Sequence, residues 1–192
     1  MTTNNEQALI NKIINGDSQS FAHVVDRHKD LVFSLAIRML KNQEEAEEVS
    51  QDTFVKVYTS LKSFKGDSKF STWIYRIAYN TCLDHIKKNK KRFDQLELNE
   101  VTENKMESLQ NALDIMIVEE RAEMVRSCLD YLSAEDTALL TLFYLEEKNL
   151  KEIEKIMKLT VNTLKVRLFR ARKKMAEVLL QQLEPEMLSN HG

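Results

Sequence analysis

Hydrophobic positions in this chain recur at intervals of three and four over most of its length, the spacing of amphipathic helices. Val24, Val25, His28, Leu31, Val32, Leu35, Ala36, Met39 and Leu40 mark a first long helix, which Asn42 and Gln43 break. Ala46, Val49, Thr53, Val57 and Leu61 mark a second. Residues 63–68 read as a loop, where Gly66 is free to take a positive φ. Ser71 or Thr72 can cap a third helix running to Lys91. Residues 92–113 are polar with weak periodicity and read as a flexible linker. Beyond it the pattern predicts helices over 114–131, 134–146, 150–157 and 161–182, the second opened by a Ser133–Asp136 cap. The expected division is a helical domain over 5–91, a linker over 92–113, a second domain over 114–183 and a frayed tail over 184–192.

Composition narrows the class. Three Gly and one Pro among 192 residues are too few for a turn-rich sheet protein. The expectation is an all-α chain: two small helical domains joined by an acidic flexible linker, the second carrying a helix-turn-helix. The net charge of −2 conceals segregation. Five of the six residues at 87–92 are basic, whereas 94–120 holds eight acidic residues and one Lys. Such segregation points to different surfaces meeting different partners.

Other classes find little support. Cys82 and Cys128 form no CxxC pair and read as buried, reduced thiols of a cytoplasmic chain. No apolar run approaches the roughly 18 residues of a membrane span and no signal peptide opens the chain, so no direct membrane insertion is expected. His23, His28, His85 and His191 have no metal-ligand spacing, and His28 reads as a core residue of the first helix. There is no Gly-rich phosphate loop and no catalytic constellation. The chain is not expected to be an enzyme or to carry a metal or cofactor.

Three helix faces carry the candidate chemistry. Over residues 161–175, Val161, Leu164, Leu168, Ala171 and Met175 share one side of a helix, and Thr163, Val166, Arg167, Arg170 and Lys174 the other. No acidic residue occurs over 158–176, and a short apolar helix precedes this stretch. That is the layout of a helix-turn-helix whose second helix enters a DNA major groove. Phe169, at the edge of the basic face, is expected to pack within its own domain. In the third helix, two apolar patches (Phe70, Ile74, Ile77, Ala78 and Thr81; Tyr75, Tyr79, Leu83 and Ile86) flank a stripe of Trp73, Arg76, Asn80, Asp84 and Lys87. That stripe is expected to face solvent or ligand. It suits phosphates, base edges and unpaired bases; the aromatics equally suit core packing. In the second helix, Glu48, Gln51, Asp52, Val55 and Lys56 form an acidic face with an exposed Val, fit for a basic partner or simply for solvent.

Two motifs in fixed order carry a resemblance. The first is Ala46-Glu-Glu-Val-Ser-Gln-Asp-Thr-Phe-Val-Lys-Val-Tyr58 with Phe64-Lys-Gly-Asp-Ser-Lys-Phe-Ser-Thr-Trp-Ile-Tyr-Arg-Ile-Ala-Tyr-Asn-Thr-Cys-Leu-Asp84. The second is Leu150-Lys-Glu-Ile with Thr163-Leu-Lys-Val-Arg-Leu-Phe-Arg-Ala-Arg172. Together, over about residues 20–180, they resemble bacterial RNA polymerase sigma factors of the extracytoplasmic-function group of the sigma-70 family. The resemblance implies that Glu48, Gln51, Asp52, Val55 and Lys56 dock on core RNA polymerase. It implies that Phe64, Lys65, Asp67, Ser68, Lys69, Trp73, Arg76, Asn80, Asp84 and Lys87 melt and read a single-stranded minus-ten element. It also implies that Thr160, Asn162, Thr163, Lys165, Val166, Arg167, Arg170, Lys173 and Lys174 read the duplex minus-thirty-five element. The linker would thread toward the polymerase cleft, and an anti-sigma factor would be a further partner. The rival reading is a free-standing helix-turn-helix regulator.

The chain departs from the family pattern at Glu154, where Ala is usual, at Lys158, where the turn usually has Gly, and at Val166, where a small polar residue is usual. Glu154 is expected to point outward or to pair with Arg170 or Lys158. Val166 suits a thymine methyl.

Overall fold

The computed structural model describes residues 4–89 and 128–189, and these form helices joined by short turns, with no strand among them. The helices are α1 (Asn4–Ile14), α2 (Ser18–Leu40), α3 (Gln43–Ser60), α4 (Phe70–Asn89), α5 (Ala134–Leu140), α6 (Leu150–Met157) and α7 (Val161–Ser189). The expected linker and most of the expected helix over 114–131 lie outside the described residues.

Local chemistry sets the boundaries. Asp17 caps α2 by accepting from the Ser20 N–H at 3.1 Å. α2 ends where Lys41 turns left-handed at φ 58°, and Asn42 at once caps α3 by accepting from the Glu45 N–H at 3.0 Å. The expected break at 42–43 is thus a C-cap joined to an N-cap. Ser133 caps α5 through the Asp136 N–H, as expected. α1 had no counterpart in the expected elements, although Leu9, Ile10 and Ile13 give it an apolar face that packs into the core.

Three boundaries differ from expectation. Neither Ser71 nor Thr72 caps α4, since the helix starts at Phe70 and both lie inside its first turn. Thr72 Oγ1 is buried without a hydrogen-bond partner. The element expected over 134–146 is α5 followed by a π-turn at Thr141–Leu145, closed by Glu146 N–H donating to Thr141 O at 3.0 Å. α7 runs on to Ser189, past the expected end at 182 and through Pro185. Good helix formers around Pro185 continue the helix despite the backbone bond that Pro removes.

The core explains the apolar doubling of α4. Ile74 and Ala78 are fully buried in a core that includes Val32, Leu35 and Val57, where α4 packs on α2 and α3. Tyr75 and Tyr79, on the other patch, are buried as well, and α4 packs against α6 while α2 packs against α5. One continuous hydrophobic cluster therefore spans both halves of the chain. Polar ties accompany it. The Tyr75 hydroxyl donates to the Glu146 carboxylate, and Lys41 Nζ donates to Asp130 O and, at 3.2 Å, to Leu132 O. Burial pushes the Tyr79 phenol up to about 12. Cys82 and Cys128 are both buried and unbridged, and burial raises the Cys82 thiol to about 12.

His28 is half-buried edge-on to Phe70, with ring centroids 6.0 Å apart. Burial, aided by Arg27, holds its pKa below the ordinary 6.5, while Glu6 opposes the shift. The folded state therefore binds the proton more weakly than the unfolded chain does. Stability is lost as the pH falls below about 6.5, until the folded-state pKa is passed. In urea titrations from pH 7.5 to 5, the wild type should lose stability over this window and His28→Leu should lose less.

Lys158 sits at φ 56°, closing α6 through its N–H to Glu154 O at 2.9 Å. A left-handed L-residue costs roughly 1–2 kcal/mol, part of which Gly returns through unfolded-chain entropy. Lys158→Gly should therefore raise the unfolding free energy by about 0.5–1 kcal/mol in urea titration. A decrease would mean that the Lys side chain contributes more than the strain removes.

Candidate nucleic-acid interface

The helix-turn-helix is built by caps at both of its helices. Asn149 and Glu152 form a reciprocal capping box at the start of α6. After the left-handed Lys158, Thr160 Oγ1 accepts from the Thr163 N–H at 3.2 Å. Glu154 does not pair with Arg170 or Lys158. Its Oε1 accepts from the Val161 N–H at 3.2 Å, so the carboxylate caps α7. A negative group at a helix N-terminus is favourable, and this explains how Glu is accommodated where the family usually has Ala.

α7 buries Leu164, Leu168 and Ala171 and exposes Asn162, Thr163, Lys165, Val166 and Arg170, with Thr160 exposed just before it. Lys173 and Lys174 are half-buried. Phe169 does not pack inside its domain as expected but is 56% exposed, while Leu168 and Ala171 take the inward positions. Arg172 stacks over Phe143 and Tyr144 at 5.8 and 5.3 Å, joining α7 to the π-turn. Arg167 also differs from its neighbours on the basic face. It is half-buried, and its Nε donates to Asp136 Oδ1 at 2.6 Å while Nη2 donates to Glu135. An open cleft of about 640 Å³ is lined by Asp136, Asn162, Thr163, Val166, Arg167 and Arg170. The two acidic residues were missed as site residues, because the Ser133–Asp136 pattern reads from sequence as a helix cap alone.

On α4 the stripe is only partly as expected. Asn80, Asp84 and Lys87 are exposed and Arg76 is half-buried. Trp73 is not on the open stripe: it is 6% exposed, stacked on Phe70 at 5.7 Å and tilted against Phe64 at 5.3 Å. The loop folds back and lays Phe64 over Phe70 and Trp73, removing all three rings from solvent. Phe64 and Trp73 thus form the floor of the loop, while Lys65, Asp67 and Lys69 stay exposed above it and Ser68 is half-buried.

The loop also meets α6. Lys69 Nζ lies 2.9 Å from Glu152 Oε1, and Lys155 Nζ donates to Asp67 O. Burial raises the Glu152 pKa, but the Lys69 hydrogen bond and the Asn149 N–H outweigh it and hold the carboxyl below its usual range. Glu48, Gln51, Asp52, Val55 and Lys56 are all exposed on α3, with Val55 62% accessible. Lys56 Nζ reaches toward α4, 3.3 Å from Thr81 Oγ1 and 4.0 Å from Asp84 Oδ2. The acidic face of α3 and the polar stripe of α4 therefore adjoin. Among the described residues no cluster could hold a metal ion, and no helix is long and apolar enough to cross a membrane.

Comparison with known proteins follows the same division. Residues 24–92 match Sigma-70 region 2 and residues 122–175 match Sigma-70, region 4. The ECF RNA polymerase sigma factor SigW of Bacillus subtilis is 33% identical, covering 91% of this chain and 94% of that protein. This chain belongs to the extracytoplasmic-function sigma factors of the sigma-70 family. The ECF RNA polymerase sigma-E factor of Escherichia coli K12 is 31% identical over 87% of this chain and 90% of its own length. In fold, the chain is similar to the sigma factor RpoE of Bartonella quintana, solved in complex with the anti-sigma factor NepR. The TM-score is 0.63 at 20% identity, covering 84% of this chain and 97% of that one.

The placement of Trp73 makes it a packing residue for this sigma factor's loop. Trp73→Ala should cost about 3–5 kcal/mol in urea titration. A loss under about 1 kcal/mol would mean that the ring is not held in the Phe64–Phe70 cluster.

Proposed function

We propose that this chain directs core RNA polymerase to promoters of two elements and promotes strand opening, with each step assigned to a surface described above. The minus-thirty-five element is read as duplex by the turn at Thr160 and by α7 through the exposed Asn162, Thr163, Lys165, Val166 and Arg170 and the half-buried Arg167, Lys173 and Lys174. The minus-ten element is held as unstacked bases by the loop residues Lys65, Asp67, Ser68 and Lys69 and by Arg76, Asn80, Asp84 and Lys87 of α4. Phe64 and Trp73 support that loop from below. Core polymerase docks on Glu48, Gln51, Asp52, Val55 and Lys56. Domain boundaries at 5–91 and 114–183, with a connector at 92–113, suit this division of labour.

The observation that carries the reading is the open face of α7, whose own residues over 161–176 include no acid, set behind a capped helix and a left-handed turn. In that setting cations meet phosphates and short polar side chains meet base edges. The near-neutral chain offers little counterion release on free duplex, so polymerase supplies affinity by holding both domains on one promoter. Covalent chemistry stays with the polymerase, and the chain works in the cytoplasm. By its likeness to the RpoE solved with NepR, an anti-sigma factor is the expected antagonist.

Core polymerase mixed with the pure chain and a promoter library should yield transcripts sharing two sequence elements upstream of the start. Transcripts without shared elements would refute the reading. A free-standing regulator would instead bind duplex tightly without polymerase.

Asp52 is exposed at the centre of the α3 face, away from the core. Asp52→Arg should weaken polymerase association at least tenfold, about 1.4 kcal/mol, while leaving the urea midpoint unchanged. Unchanged affinity in a fluorescence titration would remove α3 from the docking surface.

A further inference from the structure

Arg167 stands apart on the reading face. Its neighbours Asn162, Thr163, Lys165, Val166 and Arg170 are exposed, whereas Arg167 is bound to α5 through two carboxylates. Asp136 is itself held, because Ser133 Oγ donates to Asp136 Oδ2 at 2.7 Å. A chain of contacts therefore runs from the α5 N-cap through Asp136 to the Arg167 guanidinium. Burial would lower the guanidinium pKa, but Asp136 and Glu135 more than offset it and fix the positive charge.

This arrangement has a consequence for recognition. A guanidinium carries five N–H donors in a rigid plane, so bonds from Nε and Nη2 leave others available. Arg167 lines the cleft with Asn162, Thr163, Val166 and Arg170, so the fixed plane borders the space a groove-bound base edge would enter. A free Arg side chain loses much rotamer entropy when it reads a base, and one already oriented loses less. Two planar donors match the paired O6 and N7 acceptors of guanine, which no other base presents together in the major groove.

We infer that Asp136 and Glu135 are positioning residues that pre-orient Arg167 to read one guanine of the upstream element. This rests on the sigma-factor reading above and adds to it a base and the two residues that select it. Asp136 and Glu135 touch no DNA in this role. Their carboxylates weaken phosphate attraction locally, so what they add is discrimination and not affinity. Lys165 and Arg170, exposed on the same face, supply the sequence-independent attraction.

The test uses holoenzyme made from core polymerase and the full chain, with a template library randomised across the upstream element. Wild type should prefer guanine at one position, and Arg167→Ala should flatten that position by about tenfold. Asp136→Asn and Glu135→Gln should each reduce the same preference at least threefold and leave the other positions unchanged, and Glu135→Gln, which leaves the α5 cap intact, should also leave the thermal midpoint of the free chain unchanged. A purely structural ion pair would instead lower the midpoint and weaken all positions alike, and that result overturns the inference. Full guanine preference in both carboxylate variants overturns it too, as does Arg167→Ala leaving every position unaltered. If Asp136→Asn fails to fold, because Asp136 also meets the α5 cap, Glu135→Gln decides alone. Wild-type holoenzyme with no sequence-directed starts would sink the sigma-factor reading itself, and this one with it.

Discussion

The structure depends on one helix having to bury two faces. Ile74 and Ala78 require α2 and α3 on one side, while Tyr75 and Tyr79 require cover on the other. The other helices of the first half leave one side of α4 uncovered, so the second domain supplies what is missing. Burying Tyr75 then creates a polar requirement, because a phenol removed from water needs a partner. Glu146 supplies it from the end of the π-turn. The π-turn also presents Phe143 and Tyr144 to Arg172, so the same irregularity ties α7 to α5.

The strength of the join comes from the rings and not from the ion pairs around it. Lys69 is 61% exposed opposite Glu152, and such pairs contribute about 0–1 kcal/mol. Exposing two buried aromatic side chains costs roughly 3–6 kcal/mol. Any state in which the domains part must meet that cost. It is small beside a nanomolar interaction of about 12 kcal/mol, so a larger partner holding both domains has enough free energy to separate them. In the joined arrangement the loop over Phe64 and Trp73 faces α6, and Lys69 is engaged by the Glu152 carboxylate.

The elements that were legible in the sequence are those whose signals are local. The apolar periods of α2 and α3, the break at Asn42, the Ser133 cap and the helix-turn-helix all follow from residues within a few positions of one another. What was not legible depended on distant partners. Trp73 falls with Arg76 and Asn80 on a helical wheel and so reads as exposed. Only the return of the loop, placing Phe64 across it, makes it interior. Glu154 looks misplaced beside a basic face until Val161 N–H is seen to need a cap. The two apolar patches of α4 were visible, yet the sequence did not say that the second belongs against the other half of the chain, where Tyr75 meets Glu146.

Charge illustrates the same division most sharply. Along the chain, 158–176 holds no acidic residue, which suggests a uniformly cationic face. In space, Glu135 and Asp136 reach that face from α5 and occupy one of its cations, while Arg172 is drawn away onto aromatic rings. The field met by a ligand is therefore set by Lys165 and Arg170 in the open, with Arg167 neutralised locally but fixed in direction. A mobile cation attracts phosphates at any register, whereas an immobilised donor plane rewards only a base whose acceptors line up with it. Pairing a cation on a binding face thus trades long-range attraction for selectivity. That trade suits a protein whose hold on DNA is shared with a larger partner and whose own contribution is the choice of sequence.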